Sequence, residues 1–97
     1  MQKRMVKKFK EDYDTAVFTT KFVLEKKSPI LYVFHFSDDS WQFSGPEENL
    51  SHDDFKLVSL KEIIALDNSI LEVAHLPLGS EATRINHESS WRINTEN

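Results

Sequence analysis

The chain has 97 residues, of which 39% are hydrophobic and 29% charged, with two glycines, three prolines and no cysteine. A chain of this length forms one domain that buries roughly 60–65% of its unfolded surface. The composition argues against a fibrous or low-complexity protein, and the lack of cysteine excludes disulfides and thiolate metal sites and favours a bacterial or other cytoplasm. We expect a single domain over residues 1–97, with its ordered core at about 13–94.

Charge is distributed unevenly along the chain. Residues 1–27 carry eight Lys or Arg and four Asp or Glu, whereas residues 28–97 carry four and twelve, so their net charges are +4 and −8. An acidic body repels phosphate backbones, so no nucleic-acid partner is expected. The basic residues 1–12 could bind nucleic acid or anionic lipid as a tail, but we interpret them as a solvated terminus that is a candidate for fraying.

No segment indicates a membrane protein. The basic start is not followed by an apolar run of about 7–15 residues, so no secretory signal is predicted. No segment approaches the ~20 apolar residues of a membrane span. We therefore predict a soluble protein without a membrane partner.

The first predicted strand covers 17–24, where β-branched and aromatic residues precede a charged turn over 25–29. Alternation gives this strand a better-buried face, which holds Phe18, Thr20, Phe22 and Leu24. The second strand, over 30–36, is apolar on both faces, which is typical of a strand inside a sheet. Residues 37–40 then form a turn, and Trp41 and Phe43 resume the alternation, so the sheet is expected to begin as a meander.

Short helices are predicted in the second half of the chain. Residues 55–58 are a candidate for another short strand, and Ser59 with Glu62 matches a capping box that begins a helix. Asp67 or Asn68 is placed to cap a second helical segment, which residues 76–79 end. Residues 81–93 suit one or two edge strands. The expected fold class is α+β, with a small, mostly antiparallel sheet of four to six strands and one or two short helices between residues 59 and 75.

The best candidate for a functional surface in the sequence is an acidic stretch. Residues 30–54 contain no Lys or Arg, and they contain six carboxylates: Asp38, Asp39, Glu47, Glu48, Asp53 and Asp54. If the loop after the hairpin folds back on it, these groups form one negative patch, which would steer and orient a basic protein partner. The alternatives are solvated loops and a calcium site, but the spacing does not match an EF-hand loop.

The sequence does not indicate an enzyme, a metal site or a cofactor. The histidines at 35, 52, 75 and 87 lack zincin spacing, the two glycines cannot form a phosphate-binding loop, and no serine lies in a nucleophile elbow. The catalytic alternative is His52 acting with Asp53 or Asp54. Trp41 is expected in the core, and Trp91 is a candidate for an exposed binding anchor.

A set of packing and turn residues carries a resemblance to known domains, namely Val17–Thr20, Ile30–Val33 with His35, Trp41–Phe43, Ser59–Leu60, Ile63–Ile64, Asp67, Leu76–Gly79, Ala82, Arg84 and Trp91. In these residues the chain resembles a family of small, mostly bacterial domains of unknown function, some of which are grouped with immunity proteins of toxin systems. The resemblance covers about 15–92 and departs at Asp39–Ser40, where a glycine is expected, and at Asn68, where a proline is usual.

The resemblance implies a non-enzymatic protein-binding module, an immunity-type inhibitor that presents its acidic face to a basic toxin. Toxins that act on nucleic acids tend to be basic, so an acidic inhibitor would match their charge. The alternative is a small structural or regulatory domain without a toxin partner. Such a domain would self-associate, as a homodimer, through an exposed strand edge or through Trp91.

Overall fold

Six strands and four short helical segments form the fold, for which a computed structural model describes residues 8–94. The strands are β1 (Ala16–Thr20), β2 (Tyr32–His35), β3 (Trp41–Ser44), β4 (Phe55–Ser59), β5 (Ser80–Thr83) and β6 (Arg92–Asn94). The α-helices are the one-turn α1 (Lys21–Leu24) and α2 (Leu60–Leu66). Two 3₁₀ helices cover His52–Asp54 and Asn68–Val73. None of the helices in the described part of the chain is long and apolar enough to cross a membrane.

The strands form one mixed sheet in the order β4-β1-β3-β2-β5-β6. Among residues 8–94 only the β1–β3 pair is parallel, so the predicted α+β class with a mostly antiparallel sheet is confirmed. β2 lies inside the sheet and forms the predicted hairpin with β3. A meander from the first strand would place β1 beside β2, but β3 lies between them, so this prediction is wrong. The helix α1 follows β1 directly, in place of the tight turn that adjacent antiparallel strands need.

The first strand differs from its prediction in length and in its buried face. It ends at Thr20, whose hydroxyl accepts a hydrogen bond from the Val23 amide at 3.2 Å and caps α1. Within the strand Val17 and Thr19 are buried and Phe18 is exposed, contrary to the prediction, whereas Thr20 is buried as predicted. The buried Thr19 hydroxyl donates to the Phe43 carbonyl oxygen at 2.7 Å, so its polar group is satisfied beside β3.

The hydrophobic core lies between one face of the sheet and the helical segments 60–73. Val33 and Phe43 from the sheet and Leu60, Ile63 and Ile70 from the helices are all fully buried in it. The two predicted helix starts are present, because the Ser59 hydroxyl accepts from the Glu62 amide and the Asp67 carboxylate accepts from the Ser69 amide. A capping box has two hydrogen bonds, and at Ser59 the one that is observed is the bond from the Glu62 amide to the Ser59 hydroxyl.

The segment before β1 packs onto the sheet. Phe9 is 2% exposed, and its ring meets the Trp41 ring edge-on with the centroids 4.9 Å apart. Trp41 donates its indole N–H to the Glu11 carboxylate at 2.9 Å. Phe9 and Glu11 therefore pack against the sheet, although they precede residue 13, where the sequence predicts the core to begin. Residues 1–7, which carry the rest of the basic terminus, lie outside the described residues.

Candidate protein-binding surface

The sheet face opposite the core carries a row of exposed apolar side chains, which we call the open face. Its exposed fractions are 38% for Phe18, 38% for Tyr32, 39% for Phe36 and 61% for Leu57. Phe34 lies between Tyr32 and Phe36, with its ring stacked at centroid distances of 6.3 and 5.7 Å. A contiguous patch of this kind on a small protein is typical of an interaction surface.

The open face contains a groove of about 510 Å³ that crosses β1, β3 and β4. Alternating side chains place Phe18 and Leu57 opposite each other on β1 and β4, and Phe18 opposite Gln42 on β3. The groove is lined by Phe18, Phe36, Gln42, His52, Phe55, Lys56 and Leu57. It is therefore an apolar depression with a few polar groups at its margin, as binding sites commonly are.

The acidic stretch does not form one patch around the hairpin turn. The turn at 37–40 precedes β3 and the loop 45–54 follows it, so the two lie at opposite ends of that strand. β4 then begins beside the end of β1, with Phe55 opposite Thr20. Asp38 and Asp39 are thus separated from the other four carboxylates by the length of β3.

Three of the six predicted carboxylates stabilise local structure. Asp38 accepts hydrogen bonds from the Ser40 hydroxyl at 2.6 Å and from the Ser40 amide at 3.0 Å, and these bonds lower the pKa of Asp38. The Ser51 amide donates to Asp54 at 2.8 Å and lowers the pKa of that carboxyl, with Lys21 3.3 Å away adding to the effect. Glu47 accepts from the Ser28 hydroxyl.

The other carboxylates differ in their surroundings. Asp39 has a positive φ of 75° in the turn, where a glycine would also fit, and its carboxylate lies 2.7 Å from the ring of His35. Glu48 is exposed and forms no ion pair within residues 8–94. Asp53 is fully exposed, and its carboxylate is 3.9 Å from the imidazole of His52. Because His52 is also fully exposed, this pair lacks the fixed geometry that a catalytic base needs.

Trp91 is half-buried and takes part in a buried cluster around Arg84 instead of standing free as an anchor. The Arg84 guanidinium lies 4.1 Å from the centre of the Trp91 ring, and the indole N–H donates to the Ser69 carbonyl oxygen at 3.3 Å. Arg84 also pairs with Asp67 at 2.7 Å. Burial alone would raise the pKa of Asp67, but hydrogen bonds from Ser69 and Arg84 and the charge of Arg84 together lower it.

Sequence reasoning missed a cluster formed by Glu11, His35 and Asp39. One potential ligand atom from each of these residues lies within 4.8 Å of the others. The i, i+4 spacing of His35 and Asp39 across the turn is a signal that could have been read from the sequence. Glu11 belongs to a segment 24 positions before His35 in the chain, and only the packing of Phe9 and Trp41 brings it there.

The fold and this surface define a class: a small α+β domain with a mixed six-stranded sheet, helices on one face and exposed aromatic side chains on the other. Comparison with known proteins finds no matching family model, no similar curated protein and no similar solved structure.

Proposed function

We propose that this chain is a non-enzymatic protein-binding module whose open face contacts a partner protein. The observation that carries the proposal is the groove of about 510 Å³ between exposed aromatic and aliphatic side chains. Protein interfaces are built from such an apolar centre, enriched in aromatic residues, within a polar rim. Phe18 and Leu57 would form the centre of this interface.

The proposed partner is a basic protein. An immunity-type role, in which the chain binds a basic toxin in a bacterial cytoplasm, would match the negative charge of the carboxylates near the groove. Two residues that line the groove, Phe36 and His52, are followed within two positions by the carboxylates Asp38 and Asp53. These carboxylates supply a negative rim that raises the association rate with a positive surface. An acidic rim of this kind complements a protein that itself binds nucleic acid.

Charge also argues against nucleic acid as the ligand of the open face. Proteins that stack bases on aromatic side chains place them in a positively charged groove that follows the phosphate backbone. Lys56 is the one Lys or Arg among the described residues that line the groove, and residues 30–54, which supply Phe36, Gln42 and His52 to it, contain no Lys or Arg. A protein partner therefore fits the surface better.

The experiment compares the tagged chain with a Phe18→Ser/Leu57→Ser variant in capture of partners from a lysate of the native organism, followed by affinity measurement with the purified partner. We expect the variant to lose affinity by about tenfold or more, since central apolar residues carry most binding energy. Leu78→Ser is the matched control, because Leu78 is 55% exposed outside the open face. Equal affinity in the face variant and the control would contradict the proposal.

The proposed effect of the carboxylates on the association rate is tested in the same assay with Glu48→Lys/Asp53→Lys. These two positions are chosen because both side chains are exposed and neither caps a turn or helix, unlike Asp38 and Asp54. The association rate should fall and depend less on salt, whereas Glu62→Lys/Glu72→Lys, on the exposed side of the helical layer, should change it less. An unchanged association rate in Glu48→Lys/Asp53→Lys would mean that these carboxylates do not contribute to binding, which would then depend on the apolar centre alone.

A self-associating domain is the second candidate, and the exposed edge of the sheet favours it. All three residues of β6 are exposed, and Ile93 is an apolar side chain on this edge. Such an edge offers unpaired backbone groups to a second strand. Sedimentation velocity over a range of concentrations distinguishes the candidates: a dimer that Ile93→Lys weakens supports self-association, and a monomer throughout contradicts it.

A further inference from the structure

The cluster of Glu11, His35 and Asp39 has the chemistry of a cation site, and its histidine lies on the buried side of the sheet, opposite the open face. His35 is 4% exposed and its ring stacks on Trp41, with the ring centroids 3.9 Å apart and the planes inclined by 11°. The ring is thus held in one orientation at the end of β2. Imidazole nitrogen and carboxylate oxygen are both ligand types that zinc and related metal ions bind.

Both nitrogens of His35 face oxygen atoms that accept hydrogen bonds. Nδ1 is 2.6 Å from the Leu76 carbonyl oxygen, and Nε2 is 2.7 Å from Asp39 Oδ1. A carbonyl oxygen accepts only, so Nδ1 carries a hydrogen, and the lone pair of a neutral ring lies on Nε2. Nε2 then needs a proton or a metal ion between it and the carboxylate. Fixing the ring through a backbone carbonyl is how proteins orient metal-binding histidines.

Glu11 supplies the observation that favours a metal ion over a proton. Its Oε2 accepts from the Trp41 indole N–H, but its Oε1 is buried and has no hydrogen-bond partner among the described residues. A buried carboxylate oxygen without a partner is costly and calls for an unseen ion or other donor. A proton on His35 would leave the three groups with a net negative charge. A divalent cation would balance both carboxylates and bind the free oxygen.

We propose that Glu11, His35 and Asp39 bind a zinc ion, with His35 Nε2 and one oxygen of each carboxylate as ligands. Ligands at the usual zinc distances of about 2.0–2.2 Å lie about 3.3 Å apart in a tetrahedron, so the side chains must adjust from their present separations. Asp39 can do so because 57% of its side chain is exposed. The ion would join the segment before β1 to the β2–β3 turn, and a fourth position would remain for water or a partner's side chain.

The test is calorimetric titration of the full chain, freed of metal with a chelator, with zinc chloride. We expect one zinc ion per chain and a rise in the thermal unfolding midpoint, because a ligand that binds only the folded state stabilises it. Magnesium and calcium chloride should not compete, since these ions prefer sites made entirely of oxygen ligands. Absence of saturable zinc binding would overturn the proposal, as would equal binding of magnesium.

Two isosteric variants locate the ion. Glu11→Gln keeps an oxygen that can accept from Trp41, and Asp39→Asn suits the positive φ of the turn, so both should fold. Each should weaken zinc binding at least about tenfold, as the loss of even an outer-shell partner does. His52→Gln and His75→Gln are controls for binding to exposed histidines, and should leave the affinity unchanged. Loss of binding in a control, with both ligand variants unaffected, would place the ion elsewhere and overturn the site.

Discussion

Replacing Arg84 by methionine should lower the free energy of unfolding by about 3–5 kcal/mol, the usual cost of removing one partner of a buried ion pair. The Arg84 side chain is 1% exposed, and its three nitrogens bond to four partners. Nε donates to the Ile30 carbonyl oxygen at 3.0 Å, Nη1 to Ser69 and His87, and Nη2 to Asp67. Methionine fills part of the volume but leaves these acceptors without a donor.

Urea denaturation followed by circular dichroism measures this loss. Arg92→Met is the matched control, because Arg92 is exposed on β6, and it should change stability by no more than about 0.5 kcal/mol. Arg84→Lys keeps the charge but not the planar set of donors, so we expect it to recover only part of the loss. A cost below about 1 kcal/mol for Arg84→Met would mean that the cluster is not the fixed, buried network described here.

Replacing Phe43 by alanine should destabilise the protein by about 3–5 kcal/mol, whereas Phe18→Ala should cost only about 1 kcal/mol. Phe43 is fully buried and lies near the rings of Trp41 and Phe9, so its removal opens a cavity in the centre of the core. Phe18 lies on the neighbouring strand but on the open face.

The comparison of these two variants by thermal and urea unfolding tests which face of the sheet is covered. Alternation in the sequence had indicated that Phe18 was on the buried face, which predicts similar losses for the two variants. Similar losses would therefore contradict the observed packing. A folded Phe18 variant would also confirm that this residue can be changed in the binding assay without unfolding the domain.

The two proposals for this protein concern different faces of the sheet, but both use the β2–β3 turn, where Asp38 belongs to the acidic rim and Asp39 to the zinc site. The open face is formed by β1, β2, β3 and β4 and is proposed to bind a protein. The zinc site lies at the β2–β3 turn and the segment before β1. A variant that loses zinc but keeps its partner, or the reverse, would show that the two sites act independently.

Features that depend on neighbouring residues could be predicted from the sequence. The hairpin turn at 37–40, the helix start at Ser59 and the cap at Asp67 follow from side chains that bond to backbone groups within three positions. The end of β1 was missed, although Thr20 is a capping residue type, because the apolar pattern continues through Phe22 and Leu24. Local hydrogen bonds can be read from sequence; a strand and a one-turn helix with similar residues cannot be distinguished so easily.

Which groups meet and which faces of the sheet are covered depends on long-range packing and could not be predicted from the sequence. A strand with apolar residues on both sides can bury either one, and β1 buries Val17 and Thr19 because helices packed against that side of the sheet. The same packing separates the acidic residues by the length of β3, places Trp91 on Arg84, and brings Glu11 to His35 and Asp39. These outcomes depend on contacts between residues far apart in the chain, which no local pattern of side chains encodes.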